Sequence, residues 1–80
     1  MSKFKIISND DKFKRMGLNI SLQRKLKGFT QVELAEKVEI SRTHMSNIEA
    51  PNMVTLISIE LAFKIADVLE IPVSLLFVMD

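Results

Sequence analysis

Cysteine is absent from the 80 residues, and histidine occurs once, as His44. Disulfides and thiolate metal sites are therefore excluded, and one histidine cannot build a metal site alone. With only two glycines there is no glycine-rich phosphate loop. No paired carboxylates stand at a useful spacing, and no nucleophile has a base placed beside it, so an enzyme is not expected. The longest apolar run, Leu75 to Met79, is far too short to span a bilayer. The first residues, Met-Ser-Lys-Phe-Lys, lack the apolar core of a signal segment. Repeats and low-complexity segments are also missing. These absences point to a cytoplasmic protein with no cofactor, no metal, no membrane contact and no small-molecule ligand.

What is present fits one small domain. A hydrophobic fraction of 48% is high for this length, so some apolar surface is expected to meet a partner. Net charge is only +1, but it is unevenly spread. Residues 1–29 hold eight Lys/Arg and two Asp; residues 30–80 hold three Lys/Arg and eight Asp/Glu. A basic first third beside an acidic remainder makes a polarised surface.

Residues 1–9 read as an arm or short strand, because Lys3-Phe4-Lys5-Ile6 alternates. Residues 10–80 form the folded domain. Ser8, Asn9 and Asp10 are capping types for a first helix that starts at about Asp11 or at Gly17 and runs to Lys27, where Gly28 stops it. Gly17 either kinks that helix or marks its start. Thr30-Gln31-Val32-Glu33 is a capping box opening a second helix that ends near Val38. After a turn at Glu39-Ile40, Ser41 caps a third helix, which must end before Pro51. Ala50 to Ile57 is a loop, unusually apolar at Met53, Val54, Leu56 and Ile57. Ser58 caps a fourth helix, with Ile59, Ala62, Phe63, Ala66 and either Leu69 or Ile65 on its buried face. Pro72 suits the first turn of a fifth helix ending near Phe77. The expected class is an all-α fold of five helices with short connections.

Within it, Gln31 to Glu49 carries the most information. Leu34, Ala35, Val38, Ile40, Met45 and Ile48 fit two short helices joined by a tight turn. Ala35 is the small residue that a close crossing needs, and Met45 faces inward as core. This is the pattern of a helix-turn-helix, which lays its second helix in the DNA major groove.

Over about residues 17 to 77 the chain resembles the lambda-repressor-like helix-turn-helix family, the Cro and phage-repressor type of transcriptional regulator. The residues that carry the resemblance are Arg24, Gly28, Thr30-Gln31, Leu34-Ala35, Ile40-Ser41, Ser46, Ile48-Glu49 and Leu69-Glu70-Ile71-Pro72-Val73. The resemblance implies base reading by Arg42, Thr43, His44 and Asn47: Arg42 bidentate to guanine, Asn47 to adenine, the Thr43 methyl against thymine. It implies phosphate contacts by Thr30, Gln31, Ser41, Ser46, Lys27 and Asn52, aided by the N-terminus of the second helix. It also implies a structural ion pair between Arg24 and Glu49, so that Glu49→Ala is expected to destabilise the fold.

Several features depart from the family pattern. Glu39 stands where glycine is usual, at a left-handed turn position that costs a residue with a Cβ about 1 kcal/mol. The loop after the third helix has no cation, only Asn52 and Thr55, which lowers the number of phosphates neutralised. Lys25, Lys27, Lys3 and Lys5 are the cations placed to compensate. Leu18, Leu22 and Leu26 form an apolar stripe on the first helix. Either the N-terminal segment covers it, through Phe4, Ile6, Ile7 or Phe13, or it is a protein-contact face. Leu76, Phe77, Val78 and Met79 exceed what one short helix can bury, and are expected to make the contact of a homodimer. A two-fold dimer would set two third helices one DNA turn apart, about 34 Å, and call for a near-palindromic operator.

The leading expectation is thus a sequence-specific, dimeric regulator of transcription on double-stranded DNA, of the repressor, restriction-controller or antitoxin kind, including prophage regulators. The alternative is an antitoxin-like protein–protein interaction module, with a partner protein and weak or no DNA binding.

Overall fold

In the computed structural model, which describes residues 8–79, the chain folds as four α-helices and one short 3-10 helix. They are α1 (Asn9–Leu26), α2 (Gln31–Lys37), α3 (Arg42–Glu49), α4 (Ile59–Leu69) and η1 (Val73–Phe77). Each α-helix starts on a Ser or Thr whose hydroxyl accepts a backbone N–H three residues on: Ser8 from Asp11, Thr30 from Glu33, Ser41 from His44, Ser58 from Leu61. At α2 the box is complete, since the Thr30 N–H donates to Glu33 Oε1 at 2.8 Å. That backbone bond holds the Glu33 carboxyl below its ordinary value.

Three helix ends share one device. Just past each end a backbone N–H donates to the carbonyl five residues back: Phe29 to Arg24, Ile40 to Ala35 and Ile71 to Ala66. This closure needs a left-handed residue in between. Gly28 supplies it after α1 with φ 79°, but Glu39 (φ 62°) and Glu70 (φ 56°) supply it after α2 and α4. Glu39 is therefore left-handed as expected; Glu70 was not anticipated.

Helix α1 begins at Asn9 with Ser8 as its cap, so the boundary falls earlier than the expected division at residue 9. The expected arm, with Lys3, Phe4, Lys5, Ile6 and Ile7, lies outside the described residues. Gly17 does not start the helix, which runs unbroken through it. Gly17 is buried where α1 crosses α3, and a Cβ there would overlap the Ile48 carbonyl oxygen. Phe13 is a residue of α1 packed on the core, not a cover for the leucine stripe.

The core is built around Ile20, Leu34, Val38, Met45, Ile48, Ile65 and Leu69. Ala35 and Ala62 are also buried and let neighbouring helices approach. The buried face of α4 is Leu61, Ala62, Ile65, Ala66 and Leu69, whereas Ile59 and Phe63, both expected inside, are exposed by 58% and 49%. Apolar residues surround more than half of α4, so their spacing alone does not choose the inward face. Leu76 was expected at a dimer contact but is fully buried in this chain's own core. The segment is a 3-10 helix with three residues per turn, which points Leu76 inward beneath α1 and α4.

The tail is strapped to α1. Asn19 donates to the carbonyls of Leu76 (3.1 Å) and Val78 (2.9 Å), and Arg15 donates to that of Met79. Phe77 and Met79 pack partly against the core, while Val78 stays exposed. Among the described residues, no helix is long and apolar enough to cross a membrane.

Candidate nucleic-acid interface

Helix α3 is short, and its position depends on what grips its two ends. Ser41 closes the first turn. At the other end Glu49 receives Arg24 through both oxygens, Nε to Oε2 at 2.7 Å and an η-nitrogen to Oε1 at 2.8 Å. The other η-nitrogen of Arg24 donates to the Phe29 carbonyl at 2.7 Å, just past the end of α1. Gln31, the first residue of α2, donates from Nε2 to Glu49 Oε1 at 3.1 Å. One buried carboxylate therefore ties together the end of α1, the start of α2 and the end of α3. Both ions are buried and fully engaged, which is the condition under which such a pair is tolerated in a core.

Burial pushes the Glu49 carboxyl up, but the hydrogen bonds from Arg24 and Gln31 and the charge of Arg24 outweigh it, and the net direction is below the ordinary value. Arg24 is held more firmly protonated by its hydrogen bond to Glu49, against the opposing effect of burial.

With Met45, Ile48 and Glu49 turned inward, the opposite face of α3 is left to polar side chains. Arg42, Thr43, Ser46 and Asn47 line one shallow cleft of about 210 Å³ there. Arg42, Thr43 and Ser46 are exposed and Asn47 is half-buried. The structure brings together three of the four expected base readers. His44, half-buried, does not line that cleft. Ser46, expected on a phosphate, also lines the cleft, roughly 100° around the helix from Asn47.

The other expected phosphate residues do not line this cleft. Thr30 and Ser41 are exposed and already cap α2 and α3. Gln31 is half-buried and committed by one amide N–H to Glu49. Lys27 is exposed at the end of α1, and Asn52 is exposed in the loop after α3. In that loop Met53, Val54 and Leu56 are exposed, while Ile57 is core. Two further residues at the site were not anticipated. The Thr55 hydroxyl donates to the Asn47 carbonyl at 3.1 Å, and Ser21 contributes to lowering the Glu49 carboxyl. Neither shows in a sequence pattern, because both contacts are tertiary. Among the described residues no group of acidic or histidine side chains could hold a metal.

A capped pair of short helices, pinned at a buried ion pair and presenting a polar outer face on the second, defines the helix-turn-helix class. The helix-turn-helix family model HTH_3 matches residues 20–76, most of the chain. The chain belongs to this family, in its lambda-repressor-like branch. Solved structures agree. The biofilm master regulator SinR in complex with DNA is 38% identical, with TM-score 0.69 over 76% of this chain and 95% of that one. The N-terminal DNA-binding domain of SinR from Bacillus subtilis is 36% identical, with TM-score 0.69 over 79% and 90%. The restriction-modification controller protein C.AhdI from Aeromonas hydrophila is 25% identical, with TM-score 0.73 over 81% and 96%. No curated protein sequence matches the chain. At the level the family sets, the protein is a DNA-binding transcriptional regulator.

Proposed function

We propose that the protein binds a near-palindromic operator as a homodimer, with α3 in the major groove, and acts in the cytoplasm as a repressor without any catalytic step. The observation that carries this reading is the polar cleft of Arg42, Thr43, Ser46 and Asn47 on a helix fixed at both ends. Arg42 pairs with guanine, Asn47 with adenine, and Thr43 meets a thymine methyl; His44 flanks them. Thr30, Gln31, Ser41, Ser46, Lys27 and Asn52 serve the phosphates, with helix α2 pointing its N-terminus at one of them. The DNA-bound SinR relative supports the partner class.

The dimer contact is made by Phe77, Val78 and Met79 together with the exposed Ile59 and Phe63 of α4. A cleft of about 350 Å³, lined by Phe13, Ile57, Ile59, Phe77 and Met79 among others, gives that surface relief. Selection of bound sequences from a random DNA pool tests the reading. A symmetric motif is the expected result, and sedimentation of a monomer at high micromolar concentration, with and without DNA, would remove the dimer.

A protein–protein interaction module is the second reading. It is favoured by Leu18, Leu22 and Leu26, which are 49%, 54% and 68% exposed along one face of α1. Elution from heparin across a salt series separates the two, since a protein that fails to bind even at low salt has no phosphate-contacting surface.

A further inference from the structure

The loop after α3 has no cation, yet it is attached to that helix at a defined point. The half-buried Thr55 donates its hydroxyl to the Asn47 carbonyl at 3.1 Å. The Ala50 N–H approaches the same oxygen at 3.4 Å, and the Met53 N–H reaches the Ala50 carbonyl at 3.3 Å. The last four carbonyls of an α-helix have no partner within it. In α3, which ends at Glu49, the Asn47 carbonyl belongs to that terminal set. It is held from outside by one good hydroxyl bond and one long amide bond.

Asn47 is also the member of the polar cleft closest to this end of the helix. A bidentate amide–adenine contact needs both amide groups aligned with the base edge, so it tolerates little rotation of the backbone that carries it. Arg42 stands at the opposite end, in the turn that Ser41 closes, and does not depend on the loop.

We propose that Thr55 is a positioning residue for Asn47: its hydroxyl stops the last turn of α3 from unwinding and so fixes the amide that reads a base. This rests on the reading that Asn47 contacts a base edge. It gives the cation-free loop a role in specificity, where a cationic loop would serve affinity.

The experiment measures binding of the full chain to the selected operator and to a set of single base-pair variants of it. Asn47→Ala should lose about tenfold in preference at one base pair. Thr55→Val, which keeps the shape and removes the hydroxyl, should lose about threefold at that same base pair. The preference set by Arg42 should be unchanged, and Thr55→Ser should restore the wild-type profile. Thr55→Ala serves as a second hydroxyl-free variant if the valine disturbs folding. Equal weakening at every base pair, or an unaltered profile in both hydroxyl-free variants, would overturn the proposal. If Asn47→Ala itself shows no loss confined to one base pair, the base-reading assignment fails first, and the proposal falls with it.

Discussion

Replacing a mid-helix glycine with alanine ordinarily stabilises a helix by about 0.5–1 kcal/mol, because alanine has less backbone freedom to lose. At Gly17 the sign should reverse. A Cβ there would overlap the Ile48 carbonyl oxygen and stand 3.1 Å from the Ile48 carbonyl carbon. To restore a carbon–oxygen contact of about 3.3 Å, α3 must draw back by roughly 1.4 Å from α1. That movement separates Glu49 from Arg24, whose two bonds are now 2.7 and 2.8 Å, and opens the core at Ile20 and Ile48. Overpacking costs about 1–3 kcal/mol, and a loosened buried ion pair adds to it. After subtracting the helical gain, Gly17→Ala should cost about 2–4 kcal/mol. For a domain of this size that is a fall of roughly 10–25 °C in melting temperature, read by circular dichroism. Gly28→Ala isolates a different cause: nothing lies within 4 Å of its Cβ, and φ of 79° alone makes it unfavourable, by about 1 kcal/mol. A Gly17→Ala variant that melts at or above the wild-type temperature would refute the close crossing of α1 and α3.

Other outcomes follow from single contacts. Glu39→Gly and Glu70→Gly relieve left-handed strain and should each raise stability in urea by up to about 1 kcal/mol; a decrease in either would show that the side chain contributes more than its backbone costs. The native Glu49 carboxyl lies below its unfolded value of 4.5, so its stabilisation is fully present above that pH and fades as pH falls through the lower native value. Glu49→Gln should therefore lower stability at neutral pH and flatten the acid limb of a stability–pH profile; a profile parallel to wild type would contradict this. Leu76→Ala should cost about 2–5 kcal/mol as a core deletion, whereas Val78→Asp should leave the melting temperature of a dilute sample nearly unchanged and weaken self-association in sedimentation.

The parts of this fold that the sequence discloses are those coded locally. Thr30 and Glu33 spell a capping box, Ser41 and Ser58 stand before helices, and Glu39 follows one where only a left-handed residue closes the turn. What escaped is coded by packing. Leu61, Ile65 and Leu69 compete with Ile59 and Phe63 for the inside of α4, and the positions of α1, α2 and η1 decide between them. Leu76 reads as surplus apolar surface until the tail is seen to turn as a 3-10 helix under α1, held there by Arg15 and Asn19. Gly17 is ambiguous in sequence because its reason, the Ile48 carbonyl, lies 31 positions away. At the site the same division holds: the polar positions of α3 follow from helical spacing, whereas the Gln31–Glu49 and Thr55–Asn47 bonds need the folded chain.

We propose that α3 reads DNA bases through its polar cleft. The most direct test is quantitative binding of wild type, Arg42→Ala and Asn47→Ala to the selected operator and all its single base-pair variants. Each variant should lose its preference at one base pair, a different one for each, by about 1–3 kcal/mol, with the remaining positions unchanged. Losses spread evenly over every base pair, or none at all, would contradict the claim.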